Sequence, residues 1–140
     1  MTKKFHLVLC STLFMFGAGC LLQPARAWEA ERSVKLTAAA GKEMKVREFS
    51  FMGRDCRPEG LPVVRFISLP AHGATRAMEV KSYPSYSKEN PRYVCNTKIA
   101  PHMKVTYRSK LGYLGEDRMS FEVIWPNGNY SHYDVFIKVR

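Results

Sequence analysis

Two short groupings bring together side chains that could do chemistry: Gly115-Glu116-Asp117-Arg118, and Ser131, His132 and Asp134. The second has the residue types of a hydroxyl nucleophile with a base and an orienting acid, which catalysis needs within hydrogen-bond reach. If the segment is a strand, alternate residues share a face and neighbours oppose, so His132 and Asp134 adjoin while Ser131 points away. No other nucleophile is matched to a base and an oxyanion hole, so the expectation is no catalytic residue and no enzyme.

Metals fare no better. Calcium takes six to eight oxygen ligands, whereas Glu116 and Asp117, with Glu89 or Asp134, are few and are interleaved with Lys88, Arg92 and Arg118. His72, His102 and His132 are imidazole ligands in principle, but no two stand at close ligand spacing. We therefore expect no metal and no cofactor. Asp117 is expected to bond nearby backbone N–H groups in an Asx-type turn, with Gly115 accepting the tight geometry.

The elements around these residues are strands. Ser33–Thr37 and Met44–Ser50 alternate apolar with polar residues and are separated by Gly41-Lys42. Met52–Pro62 is interrupted by two glycines and two prolines and predicts a loop. Val63–Leu69 suits a central strand, Pro70-Ala-His-Gly73 ends it, and Ala74–Val80 resumes. Residues 81–101 predict a long irregular connection, and Met103–Arg108, Met119–Trp125 and Tyr133–Val139 alternate again. Asn127-Gly128 predicts a type I′ hairpin turn between the last two. Phe121, Trp125, Tyr107 and Phe136 fall within strands and are expected to pack in or beside the core. The fold class expected is all-β: an antiparallel β-sandwich of about seven strands.

The N-terminus carries an address. Lys3 and Lys4, the apolar run Phe5–Leu22 and Ala25-x-Ala27 make a secretory signal over residues 1–27, leaving one domain over residues 28–140. Gly17-Ala18-Gly19-Cys20 leaves open a lipid-anchored form through Cys20; otherwise the chain is expected to be periplasmic or secreted, with no membrane span after cleavage. The remaining cysteines, Cys56 and Cys95, are expected to pair in an oxidising compartment. The full chain has 22 basic and 12 acidic residues; loss of Lys3, Lys4 and Arg26 leaves 19 against 12, a net charge of +7. That balance suits an anionic partner, yet no nucleic-acid motif is present, so none is expected as partner.

Leu69-Pro-Ala-His-Gly73, Val105-Thr-Tyr107, Tyr113-x-Gly115-x-Asp117-x-Met119-x-Phe121-x-Val123, Asn127-Gly128 and Val135-x-Ile137-x-Val139 together resemble the bacterial immunoglobulin-like, cadherin-like domain of secreted and cell-surface proteins, here in single copy. The resemblance implies a sandwich in which His72, Gly73, Gly115, Asp117, Asn127 and Gly128 build turns. Residues 81–101 are an insertion relative to compact members, and loops held by a rigid sandwich are the usual binding positions. Tyr83, Tyr86, Lys88, Arg92 and Tyr93 in that insertion, with Arg54 and Arg57, have the Tyr/basic composition of contact surfaces. The function expected is a non-enzymatic envelope binding module for a protein or an anionic glycan or lipid. Two alternatives stand beside it: a structural envelope subunit pairing through a sheet edge, with Ser131–Arg140 as that edge, and a secreted effector or inhibitor acting on a host or competitor protein.

Overall fold

Alternating residues need two environments, and the chain supplies them with two sheets packed face to face. The computed structural model describes residues 29–140; the expected signal, its cleavage after Ala27 and the Cys20 anchor lie outside the described residues. Strands β1 (Glu29–Ala38), β7 (Tyr130–Val139), β6 (Gly115–Ile124) and β3 (Val63–Ser68) form one sheet in that order. Strands β2 (Glu43–Phe49), β5 (Ala100–Ser109) and β4 (Gly73–Ser82) form the other. The result is an all-β immunoglobulin-like sandwich of seven strands among the described residues.

The inward half of each alternation makes the core. Met119, Phe121 and Val123 of β6 and Tyr133, Val135, Ile137 and Val139 of β7 face Val105 and Tyr107 of β5 and Val46 and Phe49 of β2. Phe121 stacks on Tyr133 with centroids 5.1 Å apart, and Phe49 meets both Phe121 (6.1 Å) and Trp125 (6.0 Å) edge-on. Such pairs each add about 0.5–1.5 kcal/mol beyond area burial. Phe136 points the other way, partly exposed, with the Arg118 guanidinium 4.9 Å from its ring centroid.

Four details depart from the sequence expectation, besides the place of Val63–Ser68, which as β3 lies at a sheet edge and not in the centre. The strand pairings are not all antiparallel: β1 runs parallel to β7, with Val34 opposite Val135. The Ala39–Lys42 link carries the chain from one sheet to the other, so β1 and β2 form no hairpin and β1 meets a strand of its own direction. The Ser131–Arg140 segment is no edge, because β7 lies between β1 and β6; the edges are β1, β3, β2 and β4. The irregular connection is shorter than residues 81–101, since β4 and β5 remain paired to Ser82 opposite Ala100. Finally, the β6–β7 turn is not type I′. Of the two residues in the Asn127-Gly128 signal only Gly128 takes positive φ (84°), and the Gly128 N–H bonds the Trp125 carbonyl at 2.9 Å, which centres the turn on Pro126-Asn127. This is the hydrogen-bonding of a type I turn with a left-handed glycine after it. Asn127 contributes by accepting the Asn129 N–H at 3.1 Å.

Asp117 organises backbone over a far longer reach than an Asx turn. One oxygen accepts the local Arg118 N–H (2.9 Å) and the Ala71 N–H (3.0 Å); the other accepts the His72 N–H (3.1 Å) and the Tyr107 hydroxyl (2.8 Å). One buried carboxylate thus joins β6, β5 and the β3–β4 turn. Gly115 begins β6 at φ 137°, a region that side chains avoid. Gly73 serves differently: a Cβ there would stand 2.4 Å from the Tyr107 ring and 2.7 Å from the Arg108 carbonyl oxygen. Gly73→Ala is expected to cost about 2–3 kcal/mol, the range for forcing atoms into a packed site, read from the urea midpoint.

Burial, then the hydrogen bond to Asp117 and its charge, raise the ionisation of Tyr107 far above the ordinary tyrosine range. An unfolded tyrosine ionises near about pH 10, so above that pH the unfolded chain binds fewer protons and stability falls. The urea midpoint is expected to decline as the pH rises above about 10, and Tyr107→Phe to flatten that decline.

Candidate functional site

Three connections gather at one end of the sandwich: β2–β3 (residues 50–62), β4–β5 (residues 83–99) and β6–β7 (residues 125–129). A disulfide between Cys56 and Cys95 crosslinks the first two, with Cα atoms 5.2 Å apart. Around it Met52, Cys95 and Ala100 form a small buried cluster, with Cys56 and Tyr86 packed against it. Cys56 sits at φ 61°, where its N–H bonds the Gly53 carbonyl, and Gly53 N–H in turn bonds the Arg57 carbonyl at 2.9 Å. The β2–β3 loop is thereby a closed turn before the crosslink is counted.

The longer connection is also ordered by its own bonds. Asn96 clasps Tyr86 from both sides, accepting its N–H and donating to its carbonyl, each at 2.9 Å. Residues Tyr93–Thr97 form a 3₁₀ turn, and the Arg92 guanidinium donates to the Met52 carbonyl, tying the two loops a second time. The third connection closes the group: Phe51 and Trp125 rings lie 6.2 Å apart, and Gly60 backs onto Pro126.

The expected contact residues divide in this geometry. Tyr83, Lys88 and Tyr93 are exposed on the β4–β5 connection, and Arg54 and Arg57 on the β2–β3 loop. Tyr86 and Arg92 are half-buried and hold the loops together, yet both line a cleft of about 320 Å³ with Arg32, Phe51, Trp125 and Asn127. Tyr83 and the other side of Tyr86 border a second cleft of about 560 Å³, with Arg47, His102 and Tyr133. Burial raises the Tyr133 hydroxyl's ionisation, an effect partly offset by the charges of Arg32 and Arg47. Its ring lies 5.8 Å under the Arg47 guanidinium. Hydrogen bonds from its own backbone and from Ser87 lower the pKa of the Glu89 carboxyl from its ordinary value.

No family model matches the chain, and no curated protein matches it. Solved structures similar to it include two at low identity. Amebosin, solved in solution, is 8% identical over 80% of this chain and 98% of its own, with a TM-score of 0.41. PbICP-C, solved in complex with falcipain-2, is 7% identical over 81% of this chain and 92% of its own, with a TM-score of 0.37. Neither assigns a family.

The site also includes residues that sequence reasoning missed. Val94 and Ile99 are exposed apolar groups on the same connection as Tyr93, and Arg32 of β1, Arg47 of β2 and Trp125 of the β6–β7 connection line the clefts. Two apolar residues inside a polar, proline-broken segment were a legible signal for Val94 and Ile99. Nothing in spacing brings Arg32 and Arg47 together.

The groups considered for chemistry are dispersed. Ser131 faces inward toward the Trp125 indole N–H at 3.5 Å, while His132 and Asp134 pair at 3.9 Å on the outer face. His72 stacks on Tyr113 (4.2 Å), and His102 is buried with Nδ1 2.9 Å from the Ala100 carbonyl. Among the described residues no three metal-ligating side chains converge. No helix among them is long and apolar enough to cross a membrane.

Proposed function

We propose that this chain is an exported, non-enzymatic binding module of the bacterial envelope that holds a protein partner at the disulfide-tied end. The observation that supports it is the combination of a rigid three-loop platform with exposed Tyr83, Tyr93, Val94 and Ile99 next to Arg54, Arg57 and Lys88. Apolar and aromatic anchors with basic neighbours are the composition of protein contact surfaces. Preorganisation by the crosslink lowers the ordering cost of binding. Secretion after Ala27, with Cys20 acylation as the alternative anchor, is part of the same proposal.

The test is site-specific photocrosslinking in the producing cell, with the reactive group at Val94 or, as control, at Lys35 on the outer sheet face. Adducts to a defined protein are expected from Val94 alone, and a Tyr83→Ala/Tyr93→Ala double variant should lower their yield about tenfold or more, as for hot-spot residues. Equal labelling from both positions would sink the assignment of the site.

The convergence of three loops at one end also favours a second reading, an inhibitor or effector whose end enters a groove of its partner. Sheet-edge assembly through Ser131–Arg140 is excluded by the interior position of β7. The complex of PbICP-C with falcipain-2 names a first partner for an inhibition assay. Unaltered turnover of falcipain-2 and of the peptidases that the producing cell's competitors secrete would remove this reading.

A further inference from the structure

The opposite end of the sandwich has a different character. There the Ala39–Lys42, Leu69–His72 and Lys110–Leu114 connections come together: the Lys110 N–H bonds the His72 carbonyl (2.8 Å), Lys110 Nζ bonds the Ala71 carbonyl (3.1 Å), and Gly41 N–H bonds Ser109 Oγ (2.8 Å). His72 stacked on Tyr113 stiffens the same junction. From this fixed base three leucines project into solvent: Leu69, 69% exposed, Leu111, 85%, and Leu114, 66%. At the same end Lys42, Arg108 and Lys110 are exposed, with Arg108 Nε also donating to the Gly41 carbonyl at 2.9 Å. Of the acids at this end, Glu43 is occupied by Arg76 at 2.8 Å, and Glu116 stands opposite Lys138.

We infer that this end is a docking tip for an anionic lipid bilayer, with Leu69, Leu111 and Leu114 entering the interfacial layer and the lysines and arginine of the same end facing lipid phosphates. The core accounts for none of these leucines. Leu111 and Leu114 stand on one tight turn, and Leu69, on the adjoining one, borders a cleft of about 1030 Å³ with Phe136 and Lys138. Exposed apolar groups beside cations match an anionic lipid surface, which offers an apolar layer and phosphates together. The basic charge adds attraction to an anionic leaflet, effective within a Debye length. Shallow apolar insertion plus basic attraction is the two-part requirement for reversible interfacial binding.

The tip lies at the far end of the strands from the disulfide, so the proposed protein site remains free on the membrane-bound molecule. The two proposals are independent.

Residues 29–140 carry both sheets, their core and the disulfide, and serve as the test protein without the apolar leader. It is mixed with vesicles of phosphatidylglycerol and phosphatidylethanolamine, or of phosphatidylcholine alone. Sedimentation with the anionic vesicles only is expected, weakening as salt rises. Leu111→Asp/Leu114→Asp should reduce partitioning at least about tenfold, since each lost leucine contact is worth about that factor. Lys42→Glu should reduce it less. Indole probes then locate the inserted end: Leu111→Trp is expected to shift to the blue and be quenched by brominated lipid, while native Trp125 at the disulfide end is not. Failure to sediment, indifference to lipid charge, wild-type partitioning of the leucine variant, or quenching of Trp125 would each overturn the inference. Unchanged photocrosslinking from Val94 in the leucine variant keeps this outcome separate from that of the protein-binding proposal.

Discussion

Asp117→Ala is expected to destabilise the sandwich by about 3–4 kcal/mol, the largest effect of any single surface-to-core junction residue considered. Four donors converge on this carboxylate: the Tyr107 hydroxyl and the N–H groups of Ala71, His72 and Arg118. Hydrogen bonds to a charged acceptor contribute about 1.5–3 kcal/mol each, and a buried donor left without a partner costs about 1–3 kcal/mol. Water can reach the exposed Ala71 and His72 backbone after the change, so the four contributions do not sum. The buried Tyr107 hydroxyl has no such relief. For a domain whose whole stability is about 5–15 kcal/mol, the loss lowers the melting temperature by about 10–15 °C. Asp117→Asn is the sharper experiment, because it preserves shape while turning one acceptor into a donor that faces donors. If it melts within about 2 °C of the wild type, the carboxylate does not hold the β3–β4 turn in the way its bonds indicate.

Removing the disulfide has the second large effect, on stability and on the proposed site together. The bridge closes a loop with a sequence separation of 39, for which constraint of the unfolded chain is worth about 3–4 kcal/mol. Cys56→Ser/Cys95→Ser is expected to lose that amount in urea denaturation. Yet the seven strands do not include either cysteine, and the core of the two sheets does not contact their small cluster through either sulfur. The double variant should therefore retain its far-ultraviolet β signature at low temperature while protease cleaves first between residues 83 and 99. Binding at the Val94 end should fall with it, because the platform is lost before the sandwich is. Cleavage beginning instead in a sheet strand would show that the crosslink holds the fold rather than the loops.

The different fates of individual expectations follow from the range of the forces involved. Period-two alternation in Met119–Trp125 and Tyr133–Val139 dictates strands with one buried face wherever they are placed, and β6 and β7 duly bury Phe121, Val123, Val135 and Ile137. Cys56 and Cys95, the only cysteines after Ala27, pair as their number implies. Asp117 illustrates the opposite case. Its preference for backbone donors is a property of the side chain, but the donors come from residues 45 and 46 positions away, and local turn chemistry cannot identify them. The β6–β7 turn differs for a local reason: the fixed φ of Pro126 suits the first central position of a type I turn and draws the turn one residue earlier than the Asn-Gly signal would centre it.

Strand content, the single disulfide and the turn glycines are matters of side-chain period, covalent chemistry and allowed φ, so the order of residues decides them. Which strand neighbours which is not: β1 beside β7 in parallel, β7 interior and β3 at an edge depend on where the Ala39–Lys42 link crosses between sheets. That crossing then determines both ends of the molecule. It gathers Tyr83, Val94, Arg47 and Trp125 at one end and Leu69, Leu111 and Leu114 at the other, from segments whose separation in sequence carries no trace of either grouping. Only the packing of two sheets against a common core brings them together.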